Sequence, residues 1–594
     1  MTSRRGFLKT IGAGAAGFVV GAAGRMYAKA DAAGRPNVIL VMTDDQGYGD
    51  LGCHGNTMIR TPALDKLHAG SVRLTDFHVS PVCTPTRASL MTGQDCVRVG
   101  AWATTWGRSL PYADEVMMPA LFKAGGYRTG MFGKWHLGDN YPFRPQDRGF
   151  DRVVYHGGGG VGQTPDYWGN DYFDDTYFHN GEPKKHTGYC TDIWFDEAMK
   201  FITANKARPF FAYISTNAPH SPLNVAKKYV EPYTRKGVNG NMARFYGMIE
   251  NIDENMGRLI ARLDKLGLAN NTILIFMTDN GTAGGGRAST GKRWTGFNAA
   301  MRGKKGSIYD GGHRVPCLWR WPAGGLGGGR DLAPLTAHID MAPTLIDLCG
   351  LKKPEKVKFD GVSLAPLLLG QAKTLPDRTV TAQFRQNNSP PGKWNCTVMS
   401  DKWRLVGGKQ LYDIKTDPSQ RKDIAAKHPE IVKKLRAAGE RRWLEVSKRF
   451  DEPSRIVIGS DAENPVRLTG FDWCAGTPWN QSHVRGGQAI ASFWMVQVAK
   501  AGTYEIVLRR WPAEADTPIN GAVKGGKAIR VSKARLKIAD VDQTVDVAPT
   551  DKSAVFRVKL PAGPAKLETW FIDPNGAARH GAYYTYVKRL TRGV

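Results

Sequence analysis

Four short apolar runs constrain the fold most strongly, because each is followed at once by residues that bind metal or transfer protons. Continuous apolar runs of this length are typical of strands buried on both faces of a sheet. Between the runs lie amphipathic segments. The clearest carries apolar residues at helical spacing from Met242 to Leu263, with Gly267 at the expected C-cap. Strands that alternate with helices predict a parallel sheet covered on both faces. The four predicted strands are residues 37–43, 127–132, 210–215 and 272–278.

The residues beyond the predicted strands indicate one shared site. In open parallel sheets, ligands bind outside the carboxyl ends of the strands. The polar segments extend from residue 44 to residue 280, so a common sheet edge is needed to bring them together. The alternative, a set of unrelated loop motifs, would require four independent coincidences. The segments are Asp44-Asp45, Lys134 to His136, Asn217 to His220, and Asp279-Asn280.

A fifth segment carries a candidate nucleophile. Residues Cys83 to Arg87 read Cys-Thr-Pro-Thr-Arg, which fits the pattern Cys-x-Pro-x-Arg, and they lead directly into residues 88–93. If this segment starts a helix, its free N-terminal amide groups favour an anion beside Cys83. A five-residue pattern stays a hypothesis until its context supports it. The alternative from these residues alone is a partly buried free cysteine in a turn shaped by Pro85.

Together, the motifs resemble the sulfatase family over roughly residues 36–445, in both order and spacing. The resemblance implies an α/β fold, the alkaline-phosphatase-like sandwich, with a mostly parallel central sheet and a small C-terminal α+β subdomain. The matching segments are Asp44 to Asp50, Cys83 to Arg87, Gly126 to His136, Ala218 to His220, Thr278 to Gly281, and Met301 to Pro316.

The sequence departs from the family pattern at three positions. Thr86 stands where serine is frequent, which is a mild change. Lys304 stands where glycine is usual before the catalytic lysine, so that lysine aligns with Lys305. His313 replaces a typically apolar residue. We expect the last two departures to affect substrate choice without removing a core function.

The resemblance implies that Cys83 is oxidised to formylglycine by a formylglycine-generating enzyme. The hydrated aldehyde would carry two hydroxyls, one to attack sulfur and one to expel sulfate later. Arg87 would hold the hydrate through charge-assisted hydrogen bonds. A plain cysteine nucleophile is the less favoured alternative, because no Cys-His signature of that kind is found in the sequence.

Further catalytic roles follow from the same resemblance. His136 would be the base that collapses the sulfo-enzyme intermediate, and Lys134 would neutralise charge on the sulfate. His220, together with Lys305, would protonate or stabilise the leaving oxygen. The expected catalytic residues are Cys83, Arg87, Lys134, His136, His220 and Lys305.

Two pairs of oxygen donors at two predicted strand ends indicate a metal site. The pairs contain no histidine, so a hard cation is expected, and Ca²⁺ tolerates irregular carboxylate cages better than Mg²⁺ does. The family resemblance also implies calcium. The alternative for Asp44-Asp45 alone is a solvated turn after a strand. The expected ligands are Asp44, Asp45, Cys83, Asp279 and Asn280.

The N-terminus has the pattern of an export signal. Ser3 to Lys9 form a twin-arginine box, a weakly apolar run covers Thr10 to Ala23, and Ala28-Lys29-Ala30 is a small-x-small cleavage site. We expect residues 1–30 to be a signal peptide read by the twin-arginine export machinery, and the mature protein to be periplasmic or secreted. The alternative is a membrane anchor, for which the run is short, so no stable membrane anchor is expected.

The formal net charge is +28, and the first 30 residues contribute five basic side chains and no acid. Such a field attracts polyanions and raises their association rate. Nucleic acid and sulfated polysaccharide are both candidates, and export favours the polysaccharide, so we expect no nucleic-acid partner. Solvent ions would limit the reach of this field to about 10 Å.

The composition changes along the chain and predicts three folded parts. We expect the catalytic α/β domain at residues 31–335, the α+β subdomain at 336–452 and an appended all-β sandwich at 453–594. The sandwich contains Trp473, Trp479, Trp494, Trp511 and Trp570. They are candidates for glycan contact, and the alternative is that they form the sandwich core.

The expected function is that of an exported, calcium-dependent sulfatase that hydrolyses sulfate esters, with a sulfated glycan as the favoured substrate class. A Gly-rich and then aromatic stretch, residues 156–175, could contact a sugar or could be a surface loop. One alternative function is a phosphonate monoester or phosphodiester hydrolase of the same superfamily. Another is a catalytically silent polyanion-binding protein, which would have no use for the full catalytic set.

Overall fold

The structure is a computed structural model that describes residues 34–284 and 296–590. The signal peptide predicted at residues 1–30 lies outside the described residues. A large central sheet comprises β1 (Asn37–Thr43), β2 (Val72–Leu74), β4 (Arg128–Lys134), β5 (Arg152–His156), β6 (Thr176–His179), β7 (Glu182–Lys185), β8 (Phe210–Ser215), β9 (Thr272–Thr278), β10 (Cys317–Arg320) and β11 (Arg330–Leu332). A separate two-stranded sheet pairs β3 (Phe77–His78) with β12 (Thr336–Ala337).

The centre of the large sheet is parallel. Its strand order is β11-β2-β10-β9-β1-β8-β4-β5-β6-β7, and the five strands from β9 to β5 run parallel to one another. Antiparallel strands extend the sheet on both sides. The prediction of a mostly parallel sheet is therefore confirmed. Thr43 lies opposite Thr278 in the register of β1 and β9, so the residues that follow these two strands are neighbours.

Three of the four predicted strands have the predicted bounds. The fourth begins and ends later than predicted and takes in Lys134, which is paired in register with His156 and fully buried. The apolar pattern ends at Phe132 because Gly133 and Lys134 are not hydrophobic, although their backbone continues the ladder. Lys134 is thus part of a rigid strand instead of a loop.

Helices cover both faces of the sheet. The longest contains the predicted apolar face and ends where expected, and Gly267 follows it with a φ of 68°, a left-handed conformation that glycine adopts without steric cost. The α-helices are α1 (Pro62–Ala69), α2 (Cys83–Thr92), α3 (Met118–Ala124), α4 (Cys190–Ala204), α5 (Lys227–Arg235), α6 (Gly240–Lys265), α7 (Asp310–His313), α8 (Met341–Leu348), α9 (Ala365–Leu368), α10 (Pro429–Val446) and α11 (Gln481–Arg485).

A small α+β unit follows the main sheet. Helix α10 packs its buried Leu435 against an antiparallel four-stranded sheet, in an apolar cluster with Val398 and Leu405. The strands, in sheet order, are β13 (Val380–Gln383), β14 (Cys396–Ser400), β15 (Trp403–Val406) and β16 (Gln410–Asp413).

The C-terminal part is a sandwich of two sheets, as predicted. Alternating side chains of the two sheets pack into one apolar core. The five-stranded sheet contains β17 (Ile456–Ile458), β19 (Phe493–Val498), β21 (Lys533–Ile538), β22 (Val541–Asp546) and β24 (Gly563–Ile572). The four-stranded sheet contains β18 (Val466–Thr469), β20 (Gly502–Arg509), β23 (Ala554–Leu560) and β25 (Tyr584–Leu590).

The tryptophans of the sandwich do not share one role. Trp473, Trp494 and Trp511 have no exposed surface and form part of the core, so the interpretation of these three as glycan contacts is wrong. Trp570 is partly exposed. Trp479 is different, because 41% of its surface is exposed.

The sandwich is packed against the rest of the chain and is not attached by a linker alone. Leu110 and Phe143 of the α/β part are buried in the sandwich's own apolar core. The backbone N–H of Val457 donates to the Tyr141 carbonyl at 3.1 Å. The ring of Trp168 meets that of Trp511 edge to face at 5.4 Å. The boundaries predicted at 335/336 and 452/453 stay predictions.

None of the helices within residues 34–284 and 296–590 combines the length and apolar character needed to cross a bilayer. All eight cysteines lie in the described part of the chain, and none forms a disulfide.

The buried tryptophans predict a difference in stability between two substitutions. Trp494→Ala removes a fully buried ring and the hydrogen bond from its Nε1 to the Thr469 carbonyl (2.8 Å), so we expect a loss of about 3–5 kcal/mol in the free energy of unfolding. Trp570→Ala is the matched control: its ring is partly exposed beneath Arg535, and its loss should stay below about 1 kcal/mol. Urea unfolding followed by far-UV circular dichroism measures both. Equal losses would contradict the assignment of Trp494 to the core.

Candidate active site

The two acidic pairs meet at the carboxyl edge of the sheet because β1 and β9 are adjacent and parallel. Asp44 and Asp45 follow β1, and Asp279 and Asn280 follow β9. The backbone N–H of Asp45 donates to Asp279 Oδ1 at 3.1 Å, and Asn280 Nδ2 donates to Asp45 Oδ1 at 3.0 Å. The parallel register therefore joins two segments that are 235 residues apart in the chain.

These residues form a candidate metal centre. The side chains of Asp44, Asp45, Cys83 and Asp279 are all buried, and each offers an atom within 4.8 Å of the others. Asn280 Oδ1 is also buried and has no hydrogen-bond partner. A buried amide oxygen without a donor is costly, and a cation would satisfy it. The donor set of carboxylate and amide oxygens matches a hard cation such as Ca²⁺.

Cys83 is the first residue of α2, so the free amide groups of the helix N-terminus surround it. Its Sγ lies 3.3 Å from Asp44 Oδ1. Burial, reinforced by the Asp44 charge, raises the pKa of the Cys83 thiol well above its usual range. The unmodified residue is therefore a neutral thiol, which is a poor nucleophile.

Arg87 lies one turn along the same helix and ties the helix to three strand ends. Its Nη2 donates to Asp279 Oδ2 at 2.8 Å. Its Nη1 donates to the Lys134 carbonyl at 3.1 Å and to Ser215 Oγ at 2.5 Å. The guanidinium is fully engaged and only 1% exposed, so it is positioned as a fixed positive charge.

Two lysines pair with the acidic residues that follow β1. Lys134 Nζ donates to Asp44 Oδ2 at 2.6 Å, and both side chains are completely buried. Lys305 Nζ lies 2.5 Å from Asp45 Oδ1 and remains partly accessible. Lys304 is exposed, whereas Lys305 contacts the acidic set.

His136 is held in one tautomer by its surroundings. Its Nε2 lies 2.9 Å from the Thr104 carbonyl, which can only accept, so Nε2 carries the proton. Its Nδ1 is buried and has no partner. Burial, together with the charges of Lys134 and Arg87, lowers the pKa of His136 well below its usual range. A neutral imidazole with a free lone pair on Nδ1 is suited to act as a base.

His220 lies beside Asp45. Its Nε2 is 3.8 Å from Asp45 Oδ2, and its Nδ1 donates to the Ser221 carbonyl at 2.6 Å. Burial, followed by the charge of Lys305, lowers the pKa of His220 to about 4.

The carboxyls of the site differ in their electrostatics. Burial raises the pKa of Asp279 to about 6, and the Asp44 charge adds to the increase. Burial also opposes ionisation of Asp45, but the charges of Lys305 and His220 outweigh it and hold the pKa of that carboxyl well below its usual range.

A cavity of about 800 Å³ opens onto the site. Of the residues predicted from the sequence, Cys83, His136, His220 and Lys305 line it directly. The other predicted residues do not line the cavity but contact these four or one another: Asp44, Asp45, Asp279, Asn280, Arg87 and Lys134. Parts of the stretch 156–175 line the cavity, including Gly159 and Asp171, which agrees with a contact surface.

His313 does not line the cavity. It is buried with its Nδ1 2.9 Å from His78 Nδ1, so the expectation that it affects substrate choice is not supported.

Sequence reasoning missed several parts of the site. Thr104, whose carbonyl orients His136, belongs to a loop with no recognisable pattern. Gly159 lies against the His136 ring, and the Gly-rich run was the signal that could have indicated such a close approach. Trp479 and Arg485 reach the cavity from the sandwich, and composition alone cannot distinguish them from core or surface residues.

Comparisons with known proteins identify the family. A profile of the Sulfatase family matches residues 36–351. A second profile, for the C-terminal region of N-sulphoglucosamine sulphohydrolase, matches residues 303–442. The chain belongs to the sulfatase family. It is therefore a sulfuric ester hydrolase, and both alternative functions considered from the sequence are less well supported.

Individual relatives agree with this assignment. Arylsulfatase A of Homo sapiens is 33% identical in an alignment of 490 positions that covers 72% of this chain and 91% of the relative. N-acetylgalactosamine-6-sulfatase of Rattus norvegicus is 30% identical over 358 residues, covering 56% of this chain and 66% of the relative. Among solved structures, Ps i-CgsB in complex with k-i-k-neocarrahexaose has a TM-score of 0.61 at 27% identity, over 70% of this chain and 99% of that one.

The contact between Gly159 and His136 predicts a strong effect of one methyl group. A Cβ added at Gly159 would lie 2.3 Å from His136 Cε1 and Nε2, so Gly159→Ala should displace the imidazole and lower kcat by at least about tenfold. Gly160→Ala is the control, because its added Cβ meets the flexible end of Gln163 at 3.3 Å and His220 Nδ1 at 3.5 Å, which is an ordinary van der Waals distance. Steady-state rates on an aryl sulfate compare the two. If Gly159→Ala lowers kcat no more than Gly160→Ala does, the geometry assigned to His136 is wrong.

Proposed function

We propose that this sulfatase is exported, binds Ca²⁺ and hydrolyses sulfate esters of sulfated glycans through a formylglycine made from Cys83. The observation that carries the proposal is the meeting of Cys83, an oxygen-rich metal set and three cations at one sheet edge. A binding protein has no need of a buried base or of a nucleophile position at a helix N-terminus.

The position of Cys83 supports its conversion by a formylglycine-generating enzyme. A neutral thiol is a weak nucleophile, and a sulfur atom is a poor ligand for a hard cation. Formylglycine would replace this sulfur with the oxygen of an aldehyde, whose hydrate supplies the nucleophilic hydroxyl. The same position also lies beside Arg87 and the helix N-terminus, both of which favour negative charge.

The acidic set supports calcium as the resident cation. Asp44, Asp45, Asp279 and Asn280 would hold it, with Cys83 completing the site after conversion. Ca²⁺ would supply Lewis-acid polarisation of a sulfate oxygen.

The remaining residues act through charge and proton transfer. Lys134, Arg87 and Lys305 form a positive field that would attract the anionic sulfate group of the substrate. His136, with Nε2 fixed on the Thr104 carbonyl, can accept a proton at Nδ1. Lys305 and His220 line the cavity beside Asp45, where the charge of Lys305 would stabilise the leaving oxygen. His220 would donate to that oxygen once it has taken up a proton at Nε2.

The substrate class is inferred from relatives and from the cavity. Relatives of this chain include an N-acetylgalactosamine-6-sulfatase and a sulfatase-fold structure that holds a neocarrahexaose. The cavity is within the size range of sites for organic ligands. The basic character of the chain favours a polyanionic substrate.

Export and domain division complete the proposal. The twin-arginine box and cleavage motif at residues 1–30 support export by the twin-arginine machinery to the periplasm or the medium. We assign residues 31–335 to the catalytic domain, 336–452 to the α+β subdomain and 453–594 to the sandwich.

Conversion of Cys83 is directly testable. We expect mass spectrometry of the active protein to show an aldehyde at Cys83 that reacts with a hydrazide probe. Cys83→Ala should lower kcat by at least about 10³-fold, because the nucleophile is lost. Cys96→Ala is the control, since Cys96 is a buried cysteine outside the cavity. This variant should keep the aldehyde at position 83. Full activity from protein with only an unmodified thiol at position 83 would refute the proposal.

The metal site is tested by removing the bound cation and by replacing one of its expected ligands. Extensive chelation should abolish sulfate release and lower the melting temperature, and Ca²⁺ should restore both better than Mg²⁺ does, since a bound ion stabilises the folded state. Asp279→Asn should lower activity at least about 100-fold and remove the Ca²⁺-dependent rise in melting temperature. Asp347→Asn, an exposed carboxylate on α8, is the control. Metal-free protein that keeps its rate would rule out a catalytic cation.

A further inference from the structure

The sandwich contributes a wall to the catalytic cavity. Residues 479–485, which include helix α11, are called here the 479–485 segment. Five of them line the same cavity as Cys83, His136 and Lys305: Trp479, Asn480, Gln481, Ser482 and Arg485. Both family profiles end at or before residue 442, so neither includes this segment. The segment is therefore a part of the site that the family assignment does not explain.

Hydrogen bonds fix the 479–485 segment to the Gly-rich loop of the catalytic domain. The Thr164 N–H donates to the Trp479 carbonyl at 2.9 Å, and Asn480 forms a β-bridge with Gln163. The Gly169 N–H donates to Gln481 Oε1 at 3.0 Å. The loop so fixed also carries Gly159, which contacts His136. The segment is thus a preorganised wall and not a mobile flap.

Trp479 offers a supported aromatic face. It is 41% exposed, whereas Trp473 and Trp494 of the same sandwich are completely buried. Its ring meets His483 edge to face at 4.6 Å, which holds the indole in place. Its backbone is fixed by the Thr164 bond. A rigid, accessible aromatic ring in a polar cavity suits the apolar C–H face of a pyranose, because it buries area with little loss of entropy.

Arg485 offers an unpaired positive charge. Its Nε is buried and has no hydrogen-bond acceptor, and its guanidinium lies 5.2 Å from the centre of the Trp168 ring. Within residues 34–284 and 296–590, no carboxylate lies within ion-pair distance of this guanidinium. The side chain is half-buried, and a buried donor without an acceptor is costly, so an anionic group of a ligand would complete the site.

We infer that the 479–485 segment forms a glycan subsite beyond the scissile sulfate. Trp479 stacks on the sugar ring next to the sulfate ester, and Arg485 pairs with a second anionic group, a carboxylate or a sulfate, on the same glycan. The inference rests on the proposed action on sulfated glycans. On this inference the sandwich affects substrate choice inside the catalytic cavity. It does not act as a separate domain that binds polymers away from the site.

The kinetic test compares two classes of substrate. The quantity measured is the ratio of kcat/KM on a sulfated oligosaccharide, from a panel of carrageenan and chondroitin sulfate fragments, to kcat/KM on 4-nitrophenyl sulfate. Trp479→Ala should lower this ratio at least about tenfold, since the aryl sulfate has no sugar to stack. Trp570→Ala, a partly exposed tryptophan elsewhere in the sandwich, is the control and should leave the ratio unchanged.

The charge of Arg485 is tested with glycans of different charge. Arg485→Gln should lower the ratio at least about tenfold for fragments with two or more anionic groups, and not for fragments with one. Arg485→Lys should recover part of the loss. Arg557→Gln, at an exposed arginine on β23, is the control. If the variants melt at the same temperature as the wild type, misfolding is excluded as the cause of the lower ratio.

A binding measurement separates this inference from the proposed function. In the Cys83→Ala background, calorimetric titration with the fragment of highest kcat/KM should give a Kd at least about tenfold weaker when either Trp479→Ala or Arg485→Gln is added. Unchanged ratios and unchanged Kd values in both segment variants, with glycan hydrolysis intact, would overturn the subsite alone. A wild-type protein that cleaves 4-nitrophenyl sulfate but neither binds nor cleaves any fragment would overturn the glycan function and the subsite together.

Discussion

The balance of buried charge at the carboxyl edge of the sheet is the constraint on which the rest of the site depends. Asp44, Asp279, Arg87 and Lys134 are all almost completely removed from solvent, and each would be costly to bury alone. Their mutual pairing offsets that cost only if the strand ends keep their register. The parallel pairing of β1 with β9 and β8 therefore has two effects. It forms the core of the sheet, and it fixes the relative positions of charges that are distant in sequence.

Arg87 links this balance to the nucleophile position. It is on the helix that begins with Cys83, and it bonds to groups that follow or end three different strands. Helix and sheet thus cannot shift relative to each other without breaking a buried ion pair. The arrangement keeps Cys83 beside the acidic set, and His136 is fixed separately through its bond to the Thr104 carbonyl. Rigid positioning of this kind is what electrostatic catalysis requires.

Much of the fold and of the catalytic set could be predicted from the sequence, because both leave strong local signals. Fully buried strands are continuous apolar runs, and Cys83 and Arg87 belong to a spaced motif. Long-range contacts leave no such signal. The tautomer of His136 depends on a carbonyl from a distant loop, and Trp479 differs from Trp494 only in where the sandwich places it. The apolar pattern places Lys134 beyond the end of its strand because its side chain is polar, although the sheet buries it in an ion pair.

The central claim is that this charge-balanced site releases sulfate from glycans. The most direct measurement is the quantity of free sulfate that the purified protein releases from a panel of defined sulfated oligosaccharides, determined by ion chromatography beside an aryl sulfate. The account predicts release from at least one glycan with a higher kcat/KM than for the aryl sulfate. Release from the aryl sulfate alone, with every glycan left intact, would contradict it.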